Sequence, residues 1–341
     1  MTIRFANVEP SPDVFAAVMA TGILSIGARN HGYRLISDTM GVIATLGLVI
    51  LVALVVAKAC VPGQKLCWDL TDPDVTLRLI TFVAACAVID TRLSSNVWVA
   101  RILGGVGLAS WLILILFSAR NMLAQRWTDL RDRAHGAWQL GSVGTSGLAI
   151  VIARAARHTD HHWWLAVAAA GWVVALCIYG LMTWLTLWRV VNERQDRDGF
   201  EPDTWILMGG MAIATLAGDN IHAVAPAWLA GPVRAVTIVT WATATLWIPP
   251  LVYFALHRIR RYPNTLRFAG VWWAFVFPLG MYSAASFAMA REINQPSLFT
   301  VSLVFFWDAL AAWLTVVVAG LLLLSRRLLL LTPANRDTGR P

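Results

Sequence analysis

Residues 271–286 read VWWAFVFPLGMYSAAS, which sets a proline at 278 inside a run otherwise apolar enough to cross a bilayer. Proline lacks a backbone N–H and crowds the carbonyl four residues back, so in water it usually marks a helix end. In lipid the freed carbonyl, here near Ala274, is tolerated only where it is buried in protein or faces a wet cavity. Pro278 therefore asks what this helix looks at, and the answer has to come from the other segments.

The chain has 341 residues, 58% of them hydrophobic and 13% charged. A soluble multidomain protein of that composition would leave far too much apolar surface uncovered, so this is an integral membrane protein. The opening MTIRFANVEPSP shows no small-residue cleavage pattern, and the first apolar span is expected to remain in place. Cys60, Cys67, Cys86 and Cys177 lack paired spacing and read as small buried hydrophobes rather than a metal or disulfide framework. The net charge of +8 has no soluble basic domain to sit on, which argues against a nucleic-acid partner. Its arginines occupy short loops, as orientation signals do.

Apolar stretches of bilayer length begin at about residues 12, 37, 76, 94, 136, 161, 203, 231, 268 and 297, ten spans in a single transmembrane domain covering residues 1–341. An even number puts both ends on one side. The loops on that side hold 19 of the 27 lysines and arginines, so both termini are expected to be cytoplasmic.

The odd spans start 60 to 67 residues apart, which suggests one helical hairpin repeated five times. An aromatic recurs near the start of four of them (Phe15, Trp138, Trp205, Trp273), followed by small residues: AAVMATGILSIGA, LGSVGTSGLA, MGGMAIATLAG, FPLGMYSAAS. Even spans read instead as GLVILVALVV, WLILILF and VVVAGLLLLS. Bulky aliphatic faces suit lipid, whereas small residues allow close backbone approach or line a narrow watery space. The expected architecture is all-α, with odd helices inside and even helices outside.

On a helical wheel, the face of the ninth span around Phe277 carries Gly270, Trp273, Ala274, Gly280, Met281, Ala284 and Ala288. Phe277 stands out among small neighbours. Pro278 disfavours ordinary helical geometry at Phe277, and a kink there would aim the ring inward. A core phenylalanine beside a packing kink fits the same residues.

PSPDVFAAVMATGILSIG near the start, DTWILMGGMAIATLAG in the seventh span and VWWAFVFPLGMYSAAS in the ninth resemble the tellurite-resistance/dicarboxylate transporter family. That family includes fungal malate permeases, sulfite efflux pumps and the slow anion channels of plant guard cells. The resemblance runs through the ten-span layout of essentially the whole chain. It implies five hairpins in a ring, odd helices walling a central pore, a homotrimer with one pore per subunit, and small anions, inorganic or dicarboxylate, as cargo. It also implies that a phenylalanine of the WAFxF stretch plugs the pore, and in this sequence that residue is Phe277. Proline does not recur in every odd helix, so glycines such as Gly22, Gly144 and Gly210 would supply the other bends.

An anion in hydrocarbon needs polar surroundings. Hydroxyls hold it more weakly than a ring of lysines or arginines would, and Thr21, Ser25, Ser142, Thr145, Ser146 and Thr215 on odd helices are candidate donors. With Gly22, Gly210, Ala274, Pro278, Gly280 and Met281 they make up the expected pore lining. Each hydroxyl has the competing option of bonding the carbonyl one turn back. Asp308, deep in the tenth span, is a functional candidate by its position: it titrates protons in a coupled carrier or clamps an arginine such as Arg101, the second being favoured. Asp90 and Asp219 fall near the far ends of odd spans. The histidines His158, His161 and His162 between spans five and six lack the acid and dry pocket of a metal site. No nucleophile, acid and base converge at one depth, so neither an enzyme nor a cofactor is expected. A membrane scaffold remains the reading of another class.

Overall fold

The apolar runs fold as helices, and no strand occurs among the described residues. A computed structural model describes residues 11–60, 68–94, 96–157, 159, 163–192, 202–261 and 272–331. Cys67, His158, His161, His162 and Gly270 lie outside them. The long helices, numbered in chain order, are α1 (Ala16–Asn30), α2 (Arg34–Cys60), α3 (Pro73–Arg92), α4 (Val97–Ala124), α5 (Leu140–Ala156), α6 (Trp163–Asn192), α7 (Ile206–His222), α8 (Ala227–Arg261), α9 (Trp273–Glu292) and α10 (Ser297–Leu331). A short helix at Trp127–Arg133 precedes α5, and 3-10 turns at Gly136–Gln139 and Pro202–Trp205 lead into α5 and α7.

Local chemistry sets several starts. Asp72 accepts the Asp74 N–H at 3.1 Å, and Pro73 occupies the first helical position, where a missing N–H costs nothing. Asn96 caps α4 by accepting the N–H groups of Trp98 and Val99.

Among the described residues, seven helices are long and apolar enough to cross a membrane: α2, α4, α5 with its leading turn, α6, α8, α9 and α10. Against the ten spans expected, α1, α3 and α7 fall short. At 15 residues α1 is about 22 Å long, below the roughly 30 Å of a hydrocarbon core. α3 carries Asp74, Arg78, Asp90 and Arg92, and α7 has 17 residues. Burial accounts for this, since a helix covered on all sides by protein need not be apolar throughout. Of the most apolar window of α5, 89% is buried inside the protein, against 11% for α4.

Each odd helix packs on the even helix that follows it, and the odd helices also pack on one another: α1 on α3, α3 on α5, α5 on α7, α7 on α9, and α9 back on α1. The even helices display their leucines, valines and tryptophans outward, as at Leu46, Leu116, Trp184, Leu246 and Leu321. Cys60 and Cys177 lie on these exposed faces, unlike the buried Cys86.

A repeated bond joins the layers. Trp111 on α4 donates its Nε1–H to Thr145 Oγ1 on α5 (2.9 Å), and Trp172 on α6 to the Ala214 carbonyl on α7 (2.8 Å). Trp241 on α8 reaches Ser286 Oγ on α9 (3.2 Å), and Trp313 on α10 reaches Thr21 Oγ1 on α1 (2.9 Å). Four outer helices thus pin the inner helix that comes next in the cycle. An indole N–H in an apolar layer needs an acceptor, and the inner helix supplies it. Replacing Trp313 with Phe removes one such bond while keeping an aromatic body, and is expected to destabilise the protein by about 1 kcal/mol, read as a lower midpoint in thermal unfolding of the detergent-solubilised protein.

Candidate functional site

Two cavities lie along the inner helices. The smaller, about 30 Å3, is lined by Met19 of α1, Arg78 and Thr81 of α3, Leu140 of α5, Ile206 of α7, Ala274 and Phe277 of α9, and by Asp13 and Asp203 just before α1 and α7. It has room for no more than a few waters. The larger, about 570 Å3, takes Ile23 and Asn30 from α1, Val88 and Thr91 from α3, Gly147 from α5, Ile213 and Asp219 from α7, and Met281 and Arg291 from α9. On α1 the lining positions are 16, 19, 23, 26 and 30, and on α9 they are 274, 277, 281, 284, 287, 288, 291 and 292. Steps of three and four keep one helical face in view, so the two cavities share a single stripe on each of these helices.

Phe277 ends the small cavity, and Met281, one turn further, begins the large one. The Phe277 side chain is fully buried, 0% exposed. Pro278 packs against α7 at Gly209, where a Cβ would lie 3.1 Å from the proline ring, so a larger residue there would push the two helices apart by a few tenths of an ångström. Phe277 of the small cavity and Ile23, Ile213 and Met281 of the large one are apolar lining residues.

The hydroxyls singled out in the sequence turn elsewhere. None of Thr21, Ser25, Ser142, Thr145, Ser146 or Thr215 lines either cavity. Thr21 and Thr145 bond the carbonyls of Ala17 and Gly141 and accept the outer tryptophans. Ser25 donates to the Ser37 carbonyl on α2, Ser142 to the Ala175 carbonyl on α6, and Thr215 bonds Met211 O and Thr240 on α8. Ser146 Oγ is buried without a partner. The reason is geometric, because the face of an inner helix toward the outer layer is the one where indoles and carbonyls need partners.

Among the small residues, a Cβ on Gly22 would meet Val88 on α3 at 2.6 Å, one on Gly210 the Tyr179 ring on α6 at 3.2 Å, and one on Gly280 the Ile23 side chain on α1 at 2.8 Å. These three are contact points between helices. Ala274 and Met281 line the cavities. Asp308 is exposed on α10, away from both cavities, and forms no ion pair among the described residues. The pairing with Arg101 is not made within the chain; that guanidinium lies over the Trp98 ring, 5.5 Å from its centroid. Asp219 lines the large cavity, whereas Asp90 is buried in α3.

Sequence reasoning missed a chain of charged groups beneath the small cavity. Arg78 meets Asp74 at 3.0 Å and Asp13 at 3.7 Å. His135 joins Asp74 through Nε2 at 2.6 Å and Asp203 through Nδ1 at 2.9 Å. Asp203 Oδ2 also accepts the Ala137 N–H at 3.0 Å. The turn holding His135 comes this close because residue 136 is glycine: a Cβ there would sit 2.3 Å from the Asp203 carbonyl oxygen. Four inner segments are tied together in this way, and α9 supplies only apolar groups to the same cavity. The signal was present in the sequence. Asp13, Asp74, His135 and Asp203 recur at the interval of the odd spans, each at the start of one.

Helices of membrane-spanning length and apolarity, packed around a set of buried helices, define a multi-pass membrane protein. The chain belongs to the voltage-dependent anion channel family, whose profile matches residues 10–321. An uncharacterized membrane protein of Mycobacterium tuberculosis is 36% identical over 126 residues, 35% of this chain and 63% of that protein's length. An uncharacterized transporter of Methanocaldococcus jannaschii is 21% identical over 89% of this chain and 90% of its own. A sulfite efflux pump of Trichophyton rubrum is 30% identical over 31% of this chain and 22% of its own. The family is one of anion transport.

Burial alone would lower the pKa of His135, but its hydrogen bonds to Asp203 and Asp74 and their charges outweigh it and push the imidazole up to about 9 from 6.5. A folded value above the unfolded one means that the ion-pair contribution is complete below about 6.5 and is lost as pH rises through about 9. Thermal stability in detergent is expected to fall across that window by an amount on the order of 2–3 kcal/mol, and His135→Gln to flatten this alkaline limb.

Proposed function

We propose that the protein carries small anions, inorganic or dicarboxylate, along the route joining the two cavities, and that Phe277 is its gate. The observation that carries this reading is the place of Phe277: fully buried, directly before the proline inside α9, between two spaces lined by residues from all five inner helices. The apolar lining residues there exclude an unsolvated charge and gate by dewetting. The wide cavity beyond, with Asn30, Thr91, Asn220 and Arg157 on its walls, offers polar groups that let go of an anion readily. The anion-channel family and the sulfite pump among the relatives support the substrate class.

In this reading the ten helices are five hairpins in one transmembrane ring. The inner helices wall the pore, and the arginine-rich side with both termini faces the cytoplasm. The plasma membrane is its location, and it acts as a transporter rather than an enzyme. The exposed apolar faces of the outer helices meet lipid and neighbouring subunits, a homotrimer with one pore each.

Phe277→Ala is expected to raise anion flux several-fold in proteoliposomes of purified protein, with no change in helix content; unchanged flux in a correctly inserted variant removes the gate. Asp308→Asn, on the outer face and clear of both cavities, is expected to leave flux and any response to a proton gradient as in the parent, and a lost response would return the acid to the transport mechanism.

A further inference from the structure

The small cavity holds more charge than a passive anion route requires. Asp203 is 5% exposed. Its Oδ2 is occupied by His135 and the Ala137 N–H, while Oδ1 is buried with no hydrogen-bond partner. A buried carboxylate oxygen without a donor is costly to keep. Arg78, which lines the same cavity, meets Asp74 through Nε at 3.0 Å and Asp13 through Nη1 at 3.7 Å, and no ion pair is made by its Nη2 among the described residues. With His135 protonated, two cations face three carboxylates, and the excess negative charge repels an incoming anion.

The surroundings bring other charges. α6 contributes Arg189, whose Nη1 donates to the Ala134 carbonyl at 3.1 Å. α8, which also packs on the Pro202–Trp205 turn, carries His257, Arg258 and Arg260 in its last turns. Arg133 pairs with Asp72 at 2.9 Å, two residues before Asp74. α9 brings the apolar Ala274 and Phe277 to the cavity.

We propose that Asp203 is a proton-binding group of the transport site, and that a proton on its free Oδ1 and a small anion held by Arg78 occupy the space beneath Phe277 together. The inference rests on the pore reading and deepens it. Protonation removes the excess negative charge and turns the partnerless acceptor into an O–H donor aimed at the anion. By reciprocity, an anion beside Asp203 favours the proton. The only bond made and broken is O–H: the proton arrives from water at the charged mouth and leaves to water when the anion moves on. Asp203, rather than Asp308, is then the acid that links flux to pH.

The test uses purified Phe277→Ala protein in proteoliposomes with chloride, whose charge does not change with pH. With equal pH on both faces, chloride efflux is compared at about pH 7 and about pH 3.5, above and below the ordinary range of an aspartate carboxyl. Efflux is expected to rise several-fold on acidification. The double variant Phe277→Ala/Asp203→Asn, neutral and able to donate from its amide, is expected to show the higher efflux at both values. Equal efflux at the two pH values in Phe277→Ala overturns the inference without any change at Asp203. A double variant that keeps the parental response overturns it as well. Absence of chloride flux in Phe277→Ala at every pH overturns the pore reading and the inference with it, whereas flux without pH dependence overturns the inference alone.

Discussion

Inside a bilayer no polar atom can fall back on water, and each must be satisfied by protein. In this chain that constraint is met between two layers of helices. Tryptophan N–H groups on outer helices reach in, and hydroxyls or carbonyls on inner helices receive them. Serines on the inner helices return bonds to outer carbonyls, as Ser142 does to Ala175 and Ser283 to Ser302. Apart from polar positions such as Asp308, the outer helices are largely apolar on their exposed faces, because lipid cannot serve a polar group. The inner ones are free to be short and to carry charge, as α1 and α3 do.

The same arrangement shapes the cavities. With Thr21, Ser142, Thr145 and Thr215 bonded within their own helix or to the outer layer, much of the lining is left to alanine, isoleucine, valine and methionine. At the narrow end, charged groups from four inner segments hold one another. The fifth inner helix, α9, carries Phe277 and Pro278 and supplies no charged group to that network. At the wide end, Glu292 is held by Arg234 at 2.8 Å and His222 at 3.3 Å, so α7, α8 and α9 are joined there too.

Much of this was legible beforehand. Composition requires a membrane protein, and the alternation of small-residue and bulky spans separates inner from outer helices because lipid and close packing want different side chains. For α9 the wheel drawn around Phe277 contains Ala274, Met281, Ala284 and Ala288, which line the cavities. The hydroxyls on α1, α5 and α7 were harder to read. A residue's type shows that it needs a hydrogen-bond partner, and it does not show whether that partner is cargo, the turn below or a tryptophan far away in the chain. Thr21 and Trp313 are 292 residues apart, and no local pattern connects them.

The sequence by itself determined the helices, their approximate starts, the order in which they alternate, and the singular position of Phe277 before Pro278, because these follow from side-chain size, hydropathy and backbone chemistry along a local stretch. Only the tertiary structure decided which face of each inner helix meets the cavity and how Asp13, Asp74, Arg78, His135 and Asp203 combine. Ion pairs and enclosed spaces depend on distances between segments some 60 residues apart, and those distances exist only once the inner helices have closed on one another.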